Sequence, residues 1–138
     1  ARLERIASKV NFPVRFLGRI DDSEIPATYG VADVFVMPCR TRWAGLEQEG
    51  FGIVFLEAAA SGVPQVAGLS GGAHEAVVHG VTGYVIDEPK DSIAIAKAIQ
   101  SILASPSRRS DMGQRSRERI ESSLSYDILA EQLRTALS

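Results

Sequence analysis

The sequence predicts an α/β fold, a Rossmann-like parallel sheet with flanking helices, over a single domain of residues 1–138. The nearly continuous apolar run at 34–37 is typical of a parallel strand that is covered on both faces. A helical stretch at 53–61 follows it, and a second apolar strand at 65–67 comes next. A strand, a helix and a strand in this order form a parallel β-α-β unit, with both strands ending at the same edge of the sheet.

The other predicted elements follow from local signals. Apolar residues at helical spacing indicate helices, and Asp91 and Ser125 are good N-cap residues for two of them. In chain order, the sequence predicts a helix end at 2–10, a strand at 14–17, a helix at 25–31, a short helix at 73–78, a strand at 84–86, a helix from Asp91 to before Pro106, a charged helix at 107–121 and a final helix after Ser125. The predicted buried sides of the helix after Asp91 and of the final helix are Ile95, Ile99, Ile102 and Leu103, and Leu129, Leu133, Ala136 and Leu137.

Composition excludes several classes of function. The formal net charge of −2 argues against a nucleic-acid partner, because such proteins carry a concentrated basic surface. The single cysteine, Cys39, cannot form an internal disulfide and fits a reducing, cytoplasmic compartment. No apolar run approaches the roughly 18 residues of a membrane span. The chain opens in an apparent helix, so we expect it to be part of a longer protein.

One stretch combines several features of an anion-binding site. Two glycines, Gly50 and Gly52, precede the helix at 53–61, and acidic residues stand on either side of its start, at Glu49 and Glu57. Glycines let the backbone approach a ligand closely, and the unpaired N–H groups of residues 53–55 at the helix start form an anion-binding site. Helical side chains lean toward the N-terminus, so the Glu57 carboxylate can accept hydrogen bonds from a diol near the bound anion. Glu49 can do the same on the other side, and this order of groups matches a nucleotide diphosphate sugar.

This stretch, with the Gly62-Val63-Pro64 exit, resembles the E-x7-E signature of glycosyltransferase family 4, the retaining enzymes of GT-B fold. The resemblance extends from about Phe16 to the C-terminus and includes the segments 16–19, 32–38 and 70–75. The segments 40–42 and 68–72 make the chain most similar to the actinobacterial mannosyltransferases that act on phosphatidylinositol lipids. The resemblance implies the C-terminal, donor-binding part of such an enzyme, with GDP-mannose as donor and no cofactor.

The resemblance also implies residue roles. Glu49 contacts the donor sugar and is the candidate catalytic residue, and Glu57 contacts the ribose. Gly50, Phe51, Gly52, Ile53 and Val54 complete the donor-binding set near the sugar and the diphosphate. In the family, cationic residues grip the diphosphate, and this chain has none at a matching place. The family's acceptor domain is also not part of this sequence. We therefore expect the lipid or glycan acceptor to bind a missing N-terminal domain and the chain alone to be inactive.

Ile20 and Asp22 have two interpretations. In the family this position contacts the base of the nucleotide. Alternatively, Asp22 belongs to an acidic cluster that caps the helix at 25–31, and Ile20 is an apolar residue of the core or its rim.

Other polar residues favour structural roles. His74 and Glu75 are more typical of a helix start than of chemistry. Arg40, Arg42 and Trp43 belong to a solvated loop or face an anionic acceptor. The charged helix at 107–121 mixes arginines with acids, which indicates a solvated face, and peripheral contact with anionic lipids at the cytoplasmic face of the membrane is the alternative.

No Asp-x-Asp pair and no cluster with metal-ligand spacing occurs, so we expect no metal. Two other functions remain open from the residues alone. One is a sugar-nucleotide epimerase of GT-B architecture, which would convert the nucleotide sugar without an acceptor. The other is a non-catalytic nucleotide-binding module.

Overall fold

The structure is a computed structural model that describes residues 2–41, 46 and 48–138. Its strands are short and lie side by side in chain order in a parallel sheet, with Val36 opposite Val66 and Val66 opposite Tyr84. The strands are β1 (Phe35–Met37), β2 (Gln65–Gly68) and β3 (Gly83–Ile86). The helices are α1 (Arg2–Ala7), α2 (Ile25–Gly30), α3 (Ile53–Ala60), α4 (Ala73–Ala76), α5 (Ser92–Leu103), α6 (Pro106–Arg119) and α7 (Tyr126–Ala136). A 3-10 turn (Asp22–Glu24) leads into α2, and a π-helical stretch (Ile120–Leu124) joins α6 to α7.

Helices cover both faces of the sheet. Successive residues of a strand point to opposite faces, so Ala67 of β2 packs with Phe55 on one side while Val66 packs with Ile102 on the other. The first face carries α3 and α4, and the second carries α5 and α6. The predicted α/β class with a parallel sheet and flanking helices is therefore confirmed.

The N-cap residues in the sequence correctly predict where α5 and α7 begin. The Asp91 carboxylate accepts from the N–H groups of Ile93 and Ala94 at 2.9 and 3.0 Å, and the Ser125 hydroxyl accepts from the Ile128 N–H at 3.4 Å. Both residues are the N-caps that the sequence predicts. The charged helix begins one residue earlier than expected, at Pro106, because Ser105 caps it.

The strand predicted at 14–17 is wrong. No strand in the described part of the chain pairs with these residues, and Val14, Phe16 and Leu17 are 43%, 49% and 52% exposed. An apolar run indicates an extended segment, but a strand also needs a neighbour to complete its backbone hydrogen bonds.

Two predicted buried faces are only partly covered. Ile102 is buried in α5, whereas Leu103 is 43% exposed and does not belong to the buried side as predicted. The predicted apolar stripe of α7 is amphipathic in sequence, yet Leu133 and Leu137 are 61% and 79% exposed. The stripe therefore lacks cover within the residues described here.

Candidate functional site

The start of α3 depends on the glycine at its N-cap. Gly52 has φ 79° and ψ 61°, a left-handed conformation that side chains disfavour. A Cβ added there would lie 2.5 Å from Cδ2 of the fully buried Phe55 ring. Gly52 thus lets the chain turn sharply into the helix while the Phe55 ring packs against its Cα.

The backbone N–H groups of Ile53 and Val54 have no acceptor among the described residues. Our expectation that Phe55 would offer a third free N–H is wrong, because it donates to the Gly52 carbonyl at 2.8 Å. The first turn closes in this way, and two free N–H groups at the positive end of the helix dipole remain to bind an anion.

Glu49 and Gly50 are held from the neighbouring loop at residues 68–72. The Glu49 N–H donates to the Ser70 hydroxyl at 3.2 Å, and the Gly72 N–H is shared between the carbonyls of Glu49 and Gly50 at 3.2 and 3.1 Å. A Cβ added at Gly71 would lie 1.7 Å from the Glu49 carbonyl oxygen, and one added at Gly72 would lie 2.3 Å from that of Gly50. The two loops that leave β1 and β2 therefore pack backbone to backbone, at the edge of the sheet where both strands end.

Ser70 also contacts the first part of the loop after β1. Its side chain is 2% exposed, and its hydroxyl lies 3.2 Å from that of Thr41. Nearby, the Cys39 thiol donates to the Gly68 carbonyl at 3.3 Å. Burial raises the pKa of Cys39, so this thiol stays protonated and joins the loops rather than acting as a nucleophile.

Glu57 lies on the second turn of α3 and is partly buried. Its Oε2 accepts a hydrogen bond of 3.1 Å from the Tyr29 hydroxyl of α2. Burial, followed by the hydrogen bond to Glu57 and by its negative charge, raises the pKa of Tyr29 to about 12. The phenol therefore remains protonated, and remains a donor, throughout the neutral and mildly alkaline range.

This shift predicts the titration of the chain's tyrosinate absorbance. The chain has three tyrosines, and in the folded protein we expect a component near pH 12 that Tyr29→Phe removes and Tyr84→Phe keeps. The raised pKa also means that Tyr29 contributes stability that is fully present below its usual value near 10 and is lost as the pH rises through 12. Circular dichroism over the same pH range checks that the chain stays folded, and an unchanged high-pH component in Tyr29→Phe would contradict the assignment.

Two open depressions meet at Tyr29 and Glu57. One, of about 390 Å³, is also lined by Ile20 and Val54, and the other, of about 590 Å³, is also lined by Asp22. Ile20, Val54 and Glu57 are therefore brought together in one depression, although they come from separate segments.

The capping interpretation of Asp22 is wrong, because Asp22 lies inside the 3-10 turn and the N-cap residues, Asp21 and Glu24, make no side-chain capping bond.

Phe51 and Ile53 face a different surface. Both line a largely apolar groove of about 550 Å³ between α3 and the chain around α7, together with Leu56 and Leu129. Glu57 also lines this groove, and we expect Phe51 and Ile53 to contribute to the donor site through their backbone.

The roles of the remaining polar candidates stay predictions. Arg40, His74 and Glu75 are exposed, which both of their interpretations allow. Arg42 and Trp43 lie outside the described residues. Across the described ranges no three His, Cys, Asp or Glu side chains come together as metal ligands, and no helix is both long and apolar enough to cross a membrane.

Sequence reasoning missed Tyr29 and Ser70 as parts of the site. Tyr29 meets Glu57 across 28 positions of the chain, and Ser70 meets Glu49 across 21. The only local signal was the position of Ser70 after a strand, at the edge of the sheet where ligands bind.

Comparison with known proteins identifies the family. Residues 1–119 match the model for "Glycosyl transferases group 1". The chain belongs to this glycosyltransferase family. It is also 52% identical, over 113 residues, to a GDP-mannose-dependent alpha-(1-6)-phosphatidylinositol monomannoside mannosyltransferase of Mycolicibacterium smegmatis. That match covers 80% of this chain and 29% of the relative, so the chain spans less than a third of it.

Solved structures agree on the fold. Sucrose-phosphate synthase from Thermosynechococcus elongatus superposes on 99% of this glycosyltransferase chain with a TM-score of 0.86 and 33% identity, using 33% of its own length. HepE from Anabaena, in complex with UDP-glucose, superposes on 99% with a TM-score of 0.81 and 25% identity, using 35% of its length. The chain thus has the fold of the C-terminal domain of GT-B glycosyltransferases, as the resemblance implies.

Proposed function

We propose that this chain supplies the donor-binding half of the active site of a retaining glycosyltransferase that uses GDP-mannose and transfers mannose to a lipid or glycan acceptor. One observation carries the proposal. The free N–H groups of Ile53 and Val54 lie at the start of α3, between Glu49 on the preceding loop and Glu57 on the second turn. An anion site flanked by two carboxylates suits a diphosphate that joins two polyhydroxylated groups.

The donor is placed along this helix start in a definite order. The diphosphate binds the N–H groups of Ile53 and Val54, where the glycine backbone at 50 and 52 allows close approach. The ribose binds Glu57, and its base enters the depression beside Ile20, with Asp22 at the neighbouring one. The sugar lies on the Glu49 side, where Ser70 and the glycines at 71 and 72 fix the backbone.

The chemistry that this arrangement favours is departure of the diphosphate. Negative charge develops on the leaving phosphate, and preorganised N–H groups at a helix start stabilise it without reorganisation of water. Glu49 orients the sugar, and in a retaining enzyme the acceptor attacks from the face that the diphosphate leaves. We propose that helix N–H groups and cations from the rest of the protein provide this stabilisation without a metal.

The donor and acceptor are proposed from the mycobacterial relative, whose name specifies GDP-mannose and a phosphatidylinositol mannoside. A membrane-lipid acceptor would place the enzyme at the cytoplasmic face of the membrane, in peripheral contact with it. HepE is seen with UDP-glucose, so the same fold accepts other nucleotides and sugars. The donor must therefore be tested against alternatives.

Calorimetric titration of the 138-residue chain with GDP-mannose, GDP and UDP-glucose in excess EDTA tests the proposal. We expect the guanosine ligands to bind without a divalent metal, GDP-mannose to bind more tightly than UDP-glucose, and no sugar to be transferred by the chain alone. Failure of every nucleotide to bind, or binding that appears only with magnesium or manganese, would contradict it. Conversion of GDP-mannose without an acceptor would instead indicate the epimerase.

A further inference from the structure

Tyr29 and Glu57 form a polar contact that joins two helices at the candidate site. The Tyr29 hydroxyl of α2 donates to Oε2 of Glu57 on α3 at 3.1 Å. Oε1 of the same carboxylate has no hydrogen-bond partner among the residues described. One oxygen is thus occupied, and the other remains available to a ligand.

The Tyr29 hydroxyl is held in place by packing of its ring. The rings of Tyr29 and Phe35 meet edge to face, with centroids 5.6 Å apart at 73°, and those of Phe35 and Phe55 meet at 5.6 Å and 80°. Phe55 is fully buried. This series of rings connects Tyr29 to the core, so its hydroxyl cannot move far without disturbing the sheet and α3.

Glu57 has a flexible side chain, and a free carboxylate at a half-exposed position would sample several rotamers. A ligand would then have to order it on binding, at a cost in affinity. The fixed phenol removes part of that cost, because its raised pKa keeps it a donor under all ordinary conditions. Both residues line the same two depressions, so the contact lies where a ligand would enter.

We propose, resting on the proposed function, that Tyr29 is a positioning residue for Glu57. Its hydroxyl holds Oε2, so that Oε1 is ordered in advance to accept from the ribose diol of the nucleotide. The alternative is a purely structural role, in which the contact only joins α2 to α3. The alternatives differ in their ligand dependence, since a structural contact affects all ligands alike, whereas a positioning contact acts only through the diol.

The test compares GDP with 2′,3′-dideoxy-GDP, which lacks the diol, by calorimetric titration of the wild-type chain, Tyr29→Phe, Glu57→Ala and the double variant. A hydrogen bond contributes about 0.5–1.5 kcal/mol net, so we expect Tyr29→Phe to lower GDP affinity roughly two- to tenfold. Its dideoxy-GDP affinity should stay at the wild-type value. In the Glu57→Ala background Tyr29→Phe should add no further loss, because the group it positions is absent.

Tyr84→Phe is a matched control. It also removes a tyrosine hydroxyl with a 3.1 Å contact, in this case to Ser101, between β3 and α5. Its affinity for both nucleotides should equal that of the wild type. Thermal unfolding of each variant measures the structural share of each hydroxyl separately.

The outcomes separate this inference from the proposed function. The positioning role would be overturned, while donor binding stands, if Tyr29→Phe lost affinity for GDP and dideoxy-GDP equally. It would also be overturned if the double variant lost as much GDP affinity as the two single variants together. The positioning role would likewise be overturned if Tyr29→Phe kept the wild-type GDP affinity while Glu57→Ala bound GDP more weakly. If the wild type binds GDP and dideoxy-GDP equally and Glu57→Ala changes neither, the assignment of Glu57 to the ribose fails, and the inference fails with it.

Discussion

Replacement of Glu57 by alanine is expected to weaken GDP and GDP-mannose to the same degree, by roughly ten- to a hundredfold. A hydrogen bond to a charged group contributes about 1.5–3 kcal/mol, and both ligands carry the ribose diol that Glu57 would accept from. The side chain lies on the second turn of α3, beside the depression that Ile20 and Val54 also line. Calorimetric titration with both ligands measures the loss.

Glu49→Ala should behave differently, because the proposal assigns Glu49 to the sugar. GDP affinity should stay nearly unchanged, while GDP-mannose binds more weakly. Gln at either position keeps one acceptor oxygen and so separates the effect of charge from that of shape. The backbone bonds that hold Glu49 through Ser70 and Gly72 do not involve its side chain, so the variant should keep the loop in place.

Glu118→Ala is a suitable control for both variants, since Glu118 is exposed on α6 and contacts Gln114 of the same helix. Circular dichroism confirms that each variant is folded. If Glu49→Ala weakens both ligands equally and Glu57→Ala weakens neither, the proposed order of ribose, phosphate and sugar along α3 is wrong.

The second large effect is on stability. Phe55→Ala should lower the free energy of unfolding by about 3–5 kcal/mol, the usual cost of truncating a buried aromatic residue. Phe55 is fully buried against Ala67 and Val85, and its ring also contacts that of Phe35. For a chain of this size the loss corresponds to a melting temperature lower by roughly 10–15 °C in differential scanning calorimetry.

Phe12→Ala removes the same side chain at a position that is 66% exposed. We expect it to change stability by no more than about 0.5 kcal/mol. Similar losses in the two variants would mean that Phe55 is not the anchor of the face that carries α3 and α4. Loss of Phe55 should also weaken GDP binding, since its ring packs beneath the Gly52 turn and holds Phe35 against Tyr29.

Features encoded within a few residues could be predicted from the sequence. Asp91 and Ser125 cap their own helices, and the unit from β1 through α3 to β2 follows from two apolar runs separated by a helix. Gly52 likewise lies at the N-cap of α3, where the sequence places the start of the helix, and the anion site expected there stays a prediction. In each case the physical cause and the visible pattern occupy the same short stretch.

Features that depend on distant partners could not be predicted. The segment 14–17 has the composition of a strand but no neighbour, and its composition carries no information about pairing. Tyr29 looks like an ordinary core residue until α2 is placed against α3, where its hydroxyl reaches Glu57. The first turn of α3 closes through Gly52, which uses the Phe55 N–H that the sequence suggested would be free.

The packing of Gly71 and Gly72 against the carbonyls of Glu49 and Gly50 has a consequence for how such a domain could diversify. A methyl group at either glycine would overlap a backbone oxygen, so neither glycine can be replaced by a larger residue without moving the backbone. Ile20 and Asp22 border open depressions instead, where side chains of other shapes fit without moving the backbone. If the nucleotide base binds beside Ile20 and Asp22, as we propose, a lineage could change its preferred base by substitution there while the junction at Gly71 and Gly72 stays unchanged.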